Sequence, residues 1–196
     1  MKLNVGCGRD PLEGWTNLDV APWPGVDVLA DITRQIPLPD DSVTEILCSH
    51  VIEHIADPLA AFAELYRVAA PGCVAEFHTP HGSSDIAWTD PTHLRPWFEA
   101  SWAPFAQPYH WRMEQGYGAD WQTTKVLLLI RNDLDGLDGM TMKEAYRRVR
   151  HERNIVREMR AWLTAIKPAR APVIGWQSEL DVDFALEVEA DPILER

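Results

Sequence analysis

The chain has 196 residues, 46% of them hydrophobic, enough to bury one well-packed domain and few for two. Its formal charge of −12 argues against a general attraction to nucleic acid or to anionic membranes. The longest uninterrupted aliphatic run, residues 126–130, is far below a membrane span and no apolar signal region opens the chain, so a cytoplasmic protein is expected. Cys7, Cys48 and Cys73 are odd in number and lack paired metal spacing, which suggests neither a disulfide framework nor a zinc site.

Lys2-Leu3-Asn4-Val5 reads as a first strand that stops at Gly6-Cys7-Gly8, where the backbone can take positive φ and a ligand can approach main-chain N–H groups without meeting a Cβ. A glycine pair also serves tight turns with no ligand, so the second strand matters. Residues 16–20 place Asp19 at a strand's carboxyl end, where open α/β sheets bind ligands and an acid can hold two ribose hydroxyls. The dinucleotide fingerprint needs a third glycine, and Arg9-Asp10-Pro11 stands there instead, which counts against a nicotinamide enzyme. Only about ten residues separate the two strands, fewer than a parallel crossover takes, so pattern alone reads as a hairpin.

Residues 26–30 form a third short strand, residues 33–42 a loop with two prolines, and residues 44–49 a fourth strand. Asp57-Pro58 is a helix start, with Leu59, Phe62, Leu65, Tyr66 and Ala69 at helical spacing and Pro71-Gly72 as the stop. Residues 73–78 then complete a right-handed parallel crossover. The polar loop 79–96 is long for an idle connection, and residues 97–105 read as a short helix. Residues 125–130 are a buried strand. Ala145, Tyr146, Val149, Val156, Met159, Leu163 and Ile166 follow three-and-four spacing, which predicts one long helix over 142–166 stopped by Pro168. Half of the 18 basic residues lie within 143–170. The stripe of that helix either packs on its own sheet, with the basic residues solvated, or docks a second copy against the acidic segment 181–189, so a monomer or a homodimer is expected. Leu180, Val182, Phe184, Leu186 and Val188 alternate with Asp181, Asp183, Glu187 and Glu189 as a half-exposed strand does. The alternation of strands and helices describes a single α/β domain over 1–196, with a helical insertion at about 140–168.

Leu3-Asn4-Val5-Gly6-Cys7-Gly8 resembles the first motif of class I S-adenosylmethionine-dependent methyltransferases, in which the acid after the second strand holds the ribose. Ala30-Asp31-Ile32 resembles the segment beside the adenine. Leu38-Pro39-Asp40-Asp41-Ser42-Val43, then residues 46–55, Asp57-Pro58-Leu59 and Leu65-Tyr66-Arg67-Val68 continue the family's order of motifs across residues 2–95. The resemblance implies a Rossmann-like α/β fold: a mostly parallel seven-stranded sheet with the last strand antiparallel and helices on both faces. It makes the first two strands parallel, joined by a helix cut to one turn around residues 11–13. It implies S-adenosyl-L-methionine as cofactor and S-adenosyl-L-homocysteine as product, held by Asn4, Gly6, Cys7, Gly8, Asp19, Val20, Asp31, Ile32, Ser49 and His50.

Methyl transfer from a sulfonium is an in-line displacement, so alignment and water exclusion are the protein's main contributions. A hydroxyl or amine acceptor also benefits from a general base, and His93 and His81, with Asp90 on the same loop, are the catalytic candidates for a small-molecule acceptor. His50 and His54 either line the cofactor's methionine portion or close the loop onto the sheet, and Trp88 and Trp97 either shape an acceptor pocket or pack. His78, His81, Asp90 and His93 fit no compact ligand spacing, so no metal is assigned. A nucleic-acid methyltransferase would show a basic face and a motif such as Asn-Pro-Pro-Tyr where this chain has Ser49-His50-Val51-Ile52. The alternatives are an inactive cofactor-binding module serving as a partner subunit, and a same-fold enzyme of another transfer such as an aminopropyl group.

Overall fold

The computed structural model describes residues 1–107, 116–130, 140–173 and, as backbone, 183–188. Its strands are β1 (Lys2–Val5), β2 (Thr16–Asp19), β3 (Val28–Leu29), β4 (Val43–Ser49), β5 (Ala69–Pro80), β6 (Trp121–Ile130), β7 (Val156–Ala165) and β8 (Asp183–Val188). They form one sheet in the order β3-β2-β1-β4-β5-β7-β6-β8. The first five are mutually parallel and β7 runs antiparallel to both of its neighbours, β5 and β6. Leu3, Val5, Leu18, Ile46, Cys48, Ala75 and Phe77 are buried along the central strands, as a sheet covered on both faces requires. Among the described residues no helix is long and apolar enough to cross a membrane.

β1 and β2 pair in parallel, Leu3 opposite Thr16 and Val5 opposite Leu18, which overturns the hairpin that the short connection suggested. The one-turn helix expected at residues 11–13 is also absent, because side chains do its work. The Asn17 amide accepts from the Leu12 N–H at 2.8 Å and donates to the Leu12 carbonyl at 3.1 Å, while Asn4 Nδ2 donates to Asn17 Oδ1 at 2.9 Å. A buried amide that satisfies main-chain groups in this way lets a turn-only connection reverse twice.

Helix α1 (Pro58–Val68) starts as expected, with Asp57 accepting from the Ala60 N–H at 3.0 Å and Pro58 in the first turn. It runs directly into β5, so Pro71 and Gly72 are not its stop but lie where the pairing of β4 with β5 shifts register. Arg67 at its end clamps the 33–42 loop through the carbonyls of Ile36 and Leu38 and the carboxylates of Glu64 and Asp40. Phe62 on the helix stacks on Phe105 at 3.8 Å between ring centroids and on Phe77 at 5.0 Å, and its carbonyl accepts from Trp121 Nε1. Phe105 belongs to a 3-10 segment, Glu99–Phe105, in place of the expected short helix. Helix α2 (Ile86–Thr89) is a single turn within the 79–96 loop.

The long helix expected over 142–166 is corrected by the structure. Helix α3 (Met142–His151) begins with a Thr141/Glu144 capping box, a turn through Asn154 at φ +60 follows, and residues 156–165 are β7. Met159, Ala161, Leu163 and Ala165 are buried while Arg160, Trp162 and Thr164 are partly exposed, a period of two within residues that also satisfy three-and-four spacing. Two flanking strands offer β7 main-chain partners on both edges, and that tertiary gain overrides the helical propensity of Met, Arg, Ala and Leu. Val156, Met159 and Leu163 of the expected stripe thus lie within the chain's own sheet, while Tyr146 on α3 remains partly exposed. β7 supplies the antiparallel member of the seven-strand order, and residues 183–188 add an eighth strand parallel to β6. The rest of the strand expected there, residues 180–182 and 189, lies outside the described residues.

Asp120, fully buried before β6, accepts from Arg170 Nε and Nη2, each at 2.8 Å, and from the main-chain N–H groups of Arg170 and Gln107. Burial pushes its carboxyl up, but the Arg170 and Gln107 hydrogen bonds together outweigh burial and hold it below the usual value. A depressed carboxylate stabilises above its unfolded pKa of about 3.9 and loses that contribution as pH falls through the folded value. Arg170→Met should cost about 2 kcal/mol at pH 7, and the deficit should shrink toward pH 3 as the stranded carboxylate protonates. Urea unfolding of both proteins across this range checks it, and a deficit independent of pH would remove the charge argument.

Candidate active site

At the carboxyl ends of β1 to β4 the sheet opens into a cleft of about 400 Å³, whose lining includes Gly6, Asp19, Asp31, His50 and His54. Gly6 takes φ +67 and donates to the Leu18 carbonyl at 2.8 Å, and a Cβ there would stand 2.1 Å from Val51 Cγ2. Gly8 takes φ +54 and has no atom within 4 Å of the place a Cβ would occupy, so its surroundings are open. Its N–H donates to Asp19 Oδ2 at 2.8 Å, and the Ala21 N–H donates to Asp19 Oδ1 at 2.8 Å. Asp19 thus ties the glycine loop to the end of β2, and each of its oxygens keeps a lone pair for a ligand. Cys7 is buried between the glycines, and burial and then the Asp19 charge raise its thiol, which keeps it neutral. Beyond β3, Asp31 Oδ1 accepts from the Thr33 N–H at 2.8 Å and hydroxyl at 2.7 Å, which hold its carboxyl below the usual range.

His50 follows β4 at φ +54, a backbone conformation that costs free energy for any residue with a Cβ and that recurs at functional sites. Its Nε2 lies 3.1 Å from Glu158 Oε2 and its Nδ1 lies 3.4 Å from Glu53 Oε1. The hydrogen bond with Glu158, then the contact with Glu53, push its pKa up to about 9, so the ring is an imidazolium at neutral pH and has no lone pair with which to take a proton. Burial pushes Glu158 up, yet the His50 and Arg160 hydrogen bonds together outweigh it and hold the carboxyl down at about 2.

The 79–96 loop divides the remaining candidates. His93 packs edge-on against His54, with 4.7 Å between ring centroids, and its Nδ1 lies 3.3 Å from the Ala87 carbonyl. Its Nε2 is 3.9 Å from Asp90 Oδ2, and Asp90 itself accepts from the Thr92 N–H and hydroxyl. His93 and Asp90 are thereby brought beside His54 and the cleft. His81 is not: it is 2% exposed, engaged by Ser83 Oγ at 2.8 Å and Glu99 Oε2 at 3.3 Å, and it lines a second cavity of about 610 Å³ with Tyr146 and Arg150.

Residues 14–77 match the family model described as a methyltransferase domain. A sequence search of curated proteins finds no match. Among solved structures, the chain is similar to an S-adenosylmethionine-dependent methyltransferase from Archaeoglobus fulgidus, with a TM-score of 0.57 and 15% identity over 83% of this chain and 85% of that one. It is also similar to an S-adenosylmethionine-dependent methyltransferase from Mesorhizobium loti, with a TM-score of 0.52 and 13% identity over 83% and 89%. A third is a Thermotoga maritima methyltransferase described as a possible histamine N-methyltransferase, with a TM-score of 0.51 and 16% identity over 85% and 81%. The chain has the fold of these S-adenosylmethionine-dependent methyltransferases, and a methyltransferase-domain signature runs through its first half.

Within this fold the cleft gathers six of the expected cofactor residues, Gly6, Asp19, Val20, Asp31, Ile32 and His50. Cys7 and Gly8 adjoin them through the loop. Asn4 and Ser49 lie outside the lining: the Asn4 amide is spent on Asn17, and Ser49 Oγ sits 3.4 Å from His78 Nδ1. Trp97 is part of the aromatic core, while Trp88 is exposed and donates to the Gly82 carbonyl. Sequence reasoning missed Glu53 and Glu158. Glu158 stood in a segment read as helix, and Glu53 carried no signal beyond its place between His50 and His54.

Proposed function

We propose that the chain is an S-adenosylmethionine-dependent methyltransferase of a small-molecule acceptor, working in the cytoplasm. The observation that carries this reading is the Asp19 carboxylate, which sits at the end of β2 and accepts a hydrogen bond from Gly8, so that acid and glycine loop form one preorganised cradle. The residues present suit the cofactor: the open space at Gly8 admits a ligand close to the loop backbone, and two carboxylates, Asp19 and Asp31, flank a cleft of nucleoside size.

In this reading Asp19 holds the ribose hydroxyls, Asp31 and Ile32 meet the base, and the Gly6–Gly8 backbone and His50 border the amino-acid portion. The sulfonium, when bound, supplies an electrophilic methyl group. This chain's residues align the acceptor and remove its proton where it has one to lose. A carbonyl oxygen only accepts, so His93 Nδ1 is the donor to Ala87 and Nε2 keeps the lone pair that takes the proton. His81, with both ring nitrogens engaged, is a structural residue.

Mass spectrometry of the purified protein for bound nucleoside, followed by assay of S-adenosylhomocysteine release with hydroxylated, amino and sugar-like acceptors, tests the reading. Nucleoside binding and methylated product are expected. Binding without turnover on any acceptor would favour a non-catalytic module, and release of methylthioadenosine when decarboxylated S-adenosylmethionine is supplied as donor would indicate aminopropyl transfer.

A further inference from the structure

Glu53 is 2% exposed, and neither of its carboxylate oxygens has a hydrogen-bond partner among the described residues. An ionised carboxylate in that position is costly unless a cation meets it. His50 Nδ1, 3.4 Å from Oε1, supplies charge but no hydrogen bond. Two further histidines converge on the same carboxylate: one ligand atom from each of Glu53, His54 and His93 lies within 4.8 Å of the others. An ion bound at about 2.1 Å from each ligand needs ligand atoms about 3 to 4 Å apart, so closing the set takes shifts of the order of an ångström.

Each ring is fixed through its Nδ1. His54 Nδ1 lies 3.2 Å from the Thr92 carbonyl, and His93 Nδ1 lies 3.3 Å from the Ala87 carbonyl. Both Nδ1 atoms are donors there, which leaves Nε2 of each ring with its lone pair. This is the outer-shell arrangement that orients metal-ligating histidines. Glu53 and the loop are also joined through the main chain, with the Leu94 N–H donating to the Glu53 carbonyl at 2.8 Å.

We infer that Glu53, His54 and His93 form a binding site for one divalent transition-metal ion. Two imidazole nitrogens and one carboxylate oxygen suit Zn²⁺, Mn²⁺ or Co²⁺ and disfavour Mg²⁺, which requires an oxygen-rich shell. This reverses the sequence expectation of no metal, which considered His78 and His81 in place of Glu53 and His54. The site adjoins the cleft, because His54 also lines it. It rests on the methyltransferase reading only for its purpose and replaces the base role given to His93 above: with the ion bound His93 would accept no proton, and the ion would lower the pKa of an acceptor atom bound to it.

Titration calorimetry of the chelator-treated full chain with Zn²⁺, Mn²⁺ and Mg²⁺ tests it, with thermal unfolding alongside. One Zn²⁺ or Mn²⁺ per chain and a raised melting temperature are expected, with little response to Mg²⁺. Glu53→Gln, nearly isosteric, and His93→Ala should each weaken binding by about fiftyfold, within the range that even outer partners of metal ligands command. His151→Ala, at the exposed end of α3, should leave binding unchanged. No uptake by the wild type, or full affinity retained in Glu53→Gln, overturns the site. Binding of S-adenosylhomocysteine is measured separately: metal uptake without nucleoside binding would sink the function proposed above and keep the metal site, and nucleoside binding without metal uptake would do the reverse.

Discussion

Gly6→Ala should destabilise the protein by about 3 kcal/mol, the sum of two costs. A residue with a Cβ at φ +67 costs about 1 to 2 kcal/mol. The new methyl would also stand 2.1 Å from Val51 Cγ2, and forcing an extra carbon into packed surroundings adds about 1 to 3 kcal/mol. Val51 follows His50 directly, so relief of the clash moves the end of β4 that borders the cleft. Gly8→Ala meets only the first cost, since nothing lies within 4 Å of its added Cβ. For a chain of this length 1 kcal/mol is worth about 2 to 4 °C, so Gly6→Ala should lower the melting temperature by roughly 6 to 12 °C and Gly8→Ala by about half of that or less. Equal losses in the two variants would show that the contact with Val51 is not what excludes a side chain. The Gly8 variant should instead lose ligand affinity, because its methyl enters the open space beside the loop.

Asp19→Ala should weaken binding of S-adenosylhomocysteine by a hundred- to several hundredfold. A bidentate carboxylate contact to two hydroxyls is worth about 2 to 3 kcal/mol, roughly thirty- to hundredfold. The remainder comes from the loop, since the same carboxylate holds the N–H groups of Gly8 and Ala21, and their release leaves the glycine loop to be ordered by the ligand. Asp19→Asn separates the two parts. A side-chain amide has one acceptor oxygen, so it retains one of the two loop hydrogen bonds and accepts from fewer hydroxyls, and its affinity should fall between those of the wild type and Asp19→Ala. Calorimetry on folded variants decides this, and wild-type affinity in Asp19→Ala would remove the ribose assignment.

Local chemistry determined a large part of this protein from sequence alone. The Gly6-Cys7-Gly8 turn, the acid at the end of β2, the Asp57-Pro58 helix start and the apolar run of β6 each depend on groups a few residues apart, so each was legible in the order of residues. The resemblance to methyltransferase motifs supplied the parallel pairing of β1 with β2, which the ten-residue connection by itself contradicted. Three matters were decided only by tertiary structure. Residues 156–165 satisfy helical and strand periods alike, and the choice fell to the open edges of β5 and β6, whose hydrogen bonds no local pattern counts. Asn4 was withdrawn from the cleft because a partner thirteen positions away, Asn17, needed its amide to replace a missing helix. Glu53, His54 and His93 met, and Glu158 reached His50 across 108 positions, because the segments after β4 and β5 and the start of β7 lie at the same end of neighbouring strands. A carboxylate's partners and its solvation are set by that meeting, and both are properties of distance in space that the order of residues does not contain.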